Sequence, residues 1–326
     1  MTEEAVSKGN KNRELSGLGW LFFISMLLHI LTSLAVSILQ QKGITLPVEM
    51  ALVLSELSIL IPSLIYILIG KLSFRDDLGF RPVKAGTFFM CILLSALVTP
   101  VATFFNVLSQ LFVDNTMLRM SDSLLGGSGV IVIFLGAVYG PFCEELLFRS
   151  VINNRYSVYI GPMRAAFISA MLFALAHMNI NQASYAFVLG LIFAIINRAA
   201  RSVYPSLIIH ICVNGSNLLF LFGVMRAQKA LGIDGGSAAA GGVEKDVLFA
   251  LIGITLVIAL ICSAIAIPCV IWISKHENNE AGLNDMFRGS HPRERWLTVP
   301  LVAGIILVLI VMFGLAPLLS ALRVTS

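Results

Sequence analysis

The chain has 326 residues, 58% of them hydrophobic and 12% charged, with a mean hydropathy of +0.91 and a formal net charge of +4. Soluble domains carry about 25% charged residues, so this chain has too few polar side chains to cover a water-facing surface, and an ordinary soluble fold is excluded. The small positive balance is no sign of nucleic-acid binding, because the basic residues sit in segments that connect apolar blocks, where they act as orientation signals.

A bilayer core of ~30 Å takes about 20 apolar residues in a helix. In chain order the apolar blocks are Gly17–Gln40, Pro47–Gly70, Thr87–Val113, Gly129–Asn153, Pro162–Met178, Gln182–Ile196, Tyr204–Val224, Val247–Ser274 and Trp296–Ser320. The fifth and sixth are short and share a tight polar link. Strand-like alternation is absent, which argues against a β-barrel. The expected fold is an all-α polytopic transmembrane bundle of about nine spans. The first block follows a polar stretch, MTEEAVSKGNKNRELS, and is too long for a signal h-region, so no cleaved signal peptide is expected.

Three regions are expected. Residues 1–128 hold the polar tail, three spans and a polar loop, Asp114–Ser128. Residues 129–224 form a compact core of four spans joined by short links. Residues 225–326 hold a loop, Gln228–Gly242, flexible by composition, and two further spans without ionisable residues in their apolar cores. With the N-terminus inside, 16 of the 22 Lys and Arg residues fall on the cytoplasmic side. The positive-inside rule then puts the C-terminus outside, as in a bacterial plasma membrane. Cys91, Cys143, Cys212, Cys262 and Cys269 lie in apolar blocks without metal or disulfide spacing and read as packing residues.

Ionisable residues inside a span cost about 2.5–3.5 kcal/mol each on insertion scales and are the first functional candidates. They are His29, Glu56, Glu144, Glu145, Arg149, His177 and His210, and five of these seven fall in the central block. In PFCEELLFRS, Glu145 and Arg149 are four apart on one helix face and can pair. Glu144 is rotated about 100° away, so it finds a partner on another helix or is carried as the neutral acid. Pro141 removes the hydrogen bond to the Ala137 carbonyl and can open the helix locally. A purely structural Glu–Arg clamp would account for Glu145 and Arg149 but not for Glu144. His177 follows Phe173 by one turn, and Phe173 can orient or desolvate it; a hydrogen-bonded packing histidine is the bland alternative. His210 and Asn214 share one face and supply two donors, either as an oxyanion hole or as an interhelical polar clamp.

Together these groups suit amide hydrolysis. Glu144 and His177 could polarise a water, and His210 and Asn214 could hold the oxyanion of the attacked carbonyl. By the expected topology Glu144 and His210 lie in the cytoplasmic halves of their helices, whereas His177 comes out deeper. His29 and Glu56 are expected to pair with each other.

The pattern EExxxR, FxxxH and HxxxN on successive helices resembles the CAAX-processing and bacteriocin-processing (CPBP, or Abi) family of membrane peptidases. Here it reads Glu144-Glu145-Leu146-Leu147-Phe148-Arg149, Phe173-Ala174-Leu175-Ala176-His177 and His210-Ile211-Cys212-Val213-Asn214. The resemblance covers about residues 129–222. It implies an all-helical core with a cavity open to one face, Glu144 as base, His177 assisting, His210 and Asn214 on the oxyanion, and Glu145, Arg149 and Phe173 in support. It implies a membrane-embedded or lipidated peptide or protein substrate and a lipid bilayer, with no nucleic acid. A metal-free glutamate mechanism without a cofactor is favoured, since the HExxH spacing of helical zinc peptidases is missing. A divalent zinc ion on the Glu and His residues is the alternative. The competing readings are a non-catalytic membrane scaffold or immunity protein, and an ion-coupled transporter.

Overall fold

The computed structural model describes residues 3–232, 244–288 and 295–315. Most of the expected loop 228–242, the last residues of the ninth block and the C-terminal ALRVTS lie outside the described residues. The described residues are mostly helical, joined by turns and short irregular links, with no strand among them. In order come α1 (Glu3–Gln41), α2 (Val48–Gly70), α3 (Ala85–Ser109), α4 (Thr116–Leu125), α5 (Gly129–Ile160), α6 (Pro162–Ala176), α7 (Ile180–Ala200), α8 (Tyr204–Ala230), α9 (Lys245–His276), α10 (Glu280–Arg288) and α11 (Val299–Gly314). Seven of these are long and apolar enough to cross a membrane, and α6 and α11 are shorter apolar helices. The chain is an integral membrane protein.

Several boundaries differ from expectation for identifiable reasons. Helix α1 starts inside the polar tail, because helix geometry continues past the interface where water can solvate the charges. Helix α4 lies in the stretch expected to be loop. Its Met117 and Leu124, two turns apart, share a helical face, and its ten residues are too few to span. Helix α5 runs to Ile160, not Asn153, and ends where Gly161 adopts φ 85° ahead of Pro162. Helix α10 forms in a segment read only as a connection.

Helix α1 packs between α2 and α11, α6 lies on α7, and α9 lies on α3 and α7. Helix α5 is bordered by α2, α6 and α8. The segments that the sequence assigns to one side of the membrane meet at one end of the bundle. Arg155 there pairs with Glu14 and, at 2.8 Å, with Asp77, and Arg198 pairs with Asp285 at 2.7 Å. The Glu277 carboxylate accepts from the Lys84 N–H at 2.9 Å and from Thr87 Oγ1 at 2.5 Å, so the end of α9 caps the start of α3. A polar cavity of about 480 Å³ lies at this end between Arg155, Asn197 and Asn279. At the other end, Asn181 Oδ1 accepts from the Thr116 N–H at 3.0 Å, and Asn181 Nδ2 donates to Asn106 Oδ1 at 3.0 Å.

Helices α1 and α11 approach through glycine. A Cβ on Gly19 would stand 2.8 Å from the Leu301 nitrogen, and one on Gly304 would stand 3.2 Å from the Phe23 Cα. Gly253 on α9 faces open space. Gly19→Val is therefore expected to destabilise the protein by about 1–3 kcal/mol through overpacking. Thermal unfolding in detergent should show a lowered midpoint for Gly19→Val and none for Gly253→Val.

Candidate active site

The site is built on a helix that departs from the α register. Within α5, residues Leu135–Tyr139 and Glu145–Asn153 are π-helical, and the Gly140 N–H bonds the Leu135 carbonyl five residues back. In that register the next carbonyl, Gly136, faces Pro141, which has no N–H to give. Asn214 of α8 supplies the missing donor, its Nδ2 reaching the Gly136 oxygen at 3.1 Å. The acceptor left by the proline is thus Gly136 rather than Ala137, because the helix is wider than an α-helix at this point. Neighbouring side chains re-satisfy a proline-broken helix in this way inside lipid.

The two adjacent glutamates then serve different neighbours. Glu145 is buried, and both of its oxygens are engaged. Oε2 accepts from Ser206 Oγ at 2.5 Å. Oε1 lies 3.1 Å from His210 Nδ1 and 3.4 Å from Arg149 Nη1. Glu144 retains 18% of its side-chain exposure, and its Oε2 lies 3.5 Å from His210 Nε2. One imidazole therefore stands between two consecutive carboxyls. A carboxylate only accepts, so Nδ1 donates to Glu145 and Nε2 is turned toward Glu144.

Arg149 has no exposed surface. Its guanidinium carbon lies 4.0 Å from the centre of the Phe173 ring and 5.2 Å from that of Phe193, a cation–π arrangement worth most when desolvated. Its three nitrogens have no hydrogen-bond partner among the described residues. Gly190 leaves the room it needs, since a Cβ there would stand 3.2 Å from Nη2 and 3.0 Å from the Ala170 Cα. Phe173 in turn meets two imidazole rings edge-on, His177 at 4.9 Å and His210 at 5.9 Å. His177 Nδ1 lies 2.9 Å from the Phe173 carbonyl oxygen. The carbonyl accepts, so Nδ1 carries a proton.

The depth mismatch expected for His177 is absent. Helix α6 has 15 residues, a length of about 22 Å, and stops short of the ~30 Å a full crossing needs. His177 at its tip therefore meets the same phenyl ring as His210. The expected His29–Glu56 pair is not formed. His29 Nδ1 lies 3.2 Å from Ser58 Oγ and 3.4 Å from Ser55 Oγ. Glu56 instead packs against Gly140, where a Cβ would stand 3.5 Å from its Oε1, on the face of α5 that carries Glu144 one turn later. Ser206, Asn197 and Phe193 also contact the site and lie outside the candidates that the ionisable residues mark. Ser206 precedes His210 by four residues as His210 precedes Asn214, and this i, i+4, i+8 stripe was the available signal.

Residues 126–216 match the family model Rce1-like, type II CAAX prenyl endopeptidase Rce1-like. The match agrees with the resemblance drawn from the three motifs. Comparison with curated proteins and with solved structures returned no match. The Rce1-like segment supports, in general terms, a CAAX-type intramembrane endopeptidase. It contains Glu144, Glu145, Arg149, Phe173, His177, Ser206, His210 and Asn214, and it leaves His29 and Glu56 outside. All five cysteines are free thiols. No group of three His, Cys, Asp or Glu side chains is arranged to hold a metal ion among the described residues. Of the possible ligands, Glu145 is already shared by Ser206, His210 and Arg149.

Removing the cation alone would leave Glu145 buried and under-compensated, at a cost of about 3–5 kcal/mol. Arg149→Met is expected to lower the unfolding midpoint in detergent sharply. The double variant Arg149→Met/Glu145→Gln, which removes both charges, should recover part of that loss. Additive losses in the double variant would contradict the pairing.

Proposed function

We propose that the chain hydrolyses a peptide bond in a membrane-embedded or lipidated peptide or protein, using a water activated by Glu144. The observation that carries this reading is the single imidazole of His210 between two consecutive carboxyls, 3.5 Å from Glu144 and 3.1 Å from Glu145.

In the proposed reaction the Glu144 carboxylate takes a proton from water as the water oxygen attacks the substrate carbonyl carbon. His177, with Nδ1–H fixed on the Phe173 carbonyl, offers Nε2 to accept the water's other hydrogen and orient it. The oxyanion that develops is held by His210 from Nε2 and by the amide proton of Asn214 not used on Gly136. Holding an oxyanion requires a proton on both ring nitrogens, so His210 acts as an imidazolium whose charge Glu145 balances. When the C–N bond breaks, Glu144 returns its proton to the leaving nitrogen. Preorganised donors of this kind contribute most in a site closed to bulk water.

The proposal is metal-free, with zinc on the same side chains as the competing mechanism. The engagement of Glu145 favours the metal-free version, because a ligand role would break its contacts. The orientation proposed is N-terminus cytoplasmic and C-terminus outside, in a bacterial plasma membrane, on the strength of the basic-residue distribution.

Glu144→Gln keeps the shape and removes the base. It is expected to lower turnover by about 10²–10⁴-fold, the usual contribution of a general base, with an unchanged unfolding midpoint. Comparative proteomics of membranes from cells carrying wild type or Glu144→Gln should reveal uncut substrates only with the variant. Identical membrane proteomes together with an unchanged phenotype would favour a scaffold. A zinc chelator should leave wild-type turnover intact; loss that added zinc restores would replace the metal-free mechanism.

A further inference from the structure

We propose that Ser206, backed by Asn197, is a positioning residue that keeps Glu145 on His210 and away from Arg149. This rests on the proposed peptidase reading for its activity readout, but its geometry stands independently.

Glu145 has two donors beside it, and its present orientation serves His210 at 3.1 Å better than Arg149 at 3.4 Å. Arg149 is a fork of donors buried beside it, and none of its nitrogens has a hydrogen-bond partner among the described residues. Guanidinium and carboxylate pair best face to face through two parallel bonds, yet here a single Nη1 stands 3.4 Å from Oε1. Left to themselves, these groups would close into the two-bond form. The turn of the carboxylate that this needs would carry Oε1 away from its 3.1 Å contact with His210.

Ser206 opposes the closure. It is fully buried, and its hydroxyl lies 2.5 Å from Oε2. The Val203 carbonyl, at 3.0 Å, competes for the same hydroxyl proton, but bonds to a charged acceptor are shorter and about twice as strong. Asn197 fixes the serine from behind. Its Nδ2 donates to Ser206 Oγ at 2.7 Å, filling an acceptor site of the oxygen. Its Oδ1 accepts the Ser206 N–H at 3.0 Å, one of the first-turn donors of α8 that have no partner within the helix. The string Asn197, Ser206, Glu145, His210, Glu144 thus runs from the polar cavity at the helix ends to the proposed base. The carboxylate that orients an imidazole sets which ring nitrogen carries the proton.

A merely structural serine and a positioning serine predict opposite outcomes for Ser206→Ala. With positioning, Glu145 turns onto Arg149, the fold keeps or gains stability, and His210 loses its anchor. Nitrogen-15 NMR of histidine-labelled protein in detergent should then show the His210 Nδ1–H losing its fixed hydrogen bond to Glu145, its signal spreading over a mixture of forms. Turnover of a quenched farnesylated peptide ending in a CaaX sequence should fall about 10–100-fold, the range seen when a metal-bound imidazole loses the group that orients it, with KM nearly unchanged and no drop in unfolding midpoint. In a Glu145→Gln background the serine change should have no further effect on the His210 signals or on turnover. Unchanged His210 signals in Ser206→Ala overturn the proposal, as does a full added loss in the double variant. If wild-type protein leaves the peptide uncut, the peptidase reading fails for that substrate, while the His210 signals still decide the role of Ser206.

Discussion

A guanidinium with no exposed surface, inside a helix that crosses a membrane, sets the terms for the rest of this structure. Arg149 cannot be left alone there, and it has been given one carboxylate and two aromatic faces. Each of those neighbours leads to a member of the candidate site. Glu145 leads to His210 and through it to Glu144. Phe173 leads to both imidazoles. The charge that is hardest to bury is thus the point from which the other groups take their directions. This also explains why Gly190 faces it, since the smallest side chain alone leaves space at that crossing.

The fold brings three motifs to one depth by irregular means. A uniform bundle of full-length helices would have set His177 apart from His210. Here α6 is cut short, and α5 is widened at two places flanking Gly140–Glu144. Bulges of the π type are common near functional sites because they turn adjacent residues toward different neighbours. Glu144 and Glu145 show the effect: one contacts the far nitrogen of His210 and keeps some exposure, and the other is enclosed by Ser206, His210 and Arg149.

Much of this was legible in the residues. Long apolar blocks report membrane helices because lipid leaves the backbone no other way to satisfy itself. The few ionisable residues inside those blocks stand out because each is costly. The same logic explains what was missed. Serine is inexpensive in a membrane helix, since its hydroxyl can bond a carbonyl of the preceding turn, as Ser63 does with Ile59 at 2.8 Å. Ser206 therefore did not stand out among other serines. Widened helix turns leave no periodicity mark over five to nine residues, so an α-helical register points to Ala137 where the structure has Gly136. His29 and Glu56 looked like partners because both are costly and lie on adjacent helices, but two serines within reach of His29 removed the need.

Pro141 and Asn214 form one unit of substitution. The proline withholds a backbone donor, and the asparagine on another helix replaces it. Changing Asn214 alone takes away the donor that serves the Gly136 carbonyl, so any fall in activity combines backbone disruption with loss of the proposed contact to substrate. Pairing the change with a residue at 141 that restores the backbone N–H separates the two effects. The histories of these two positions should accordingly be linked, with neither free to drift while the other stays.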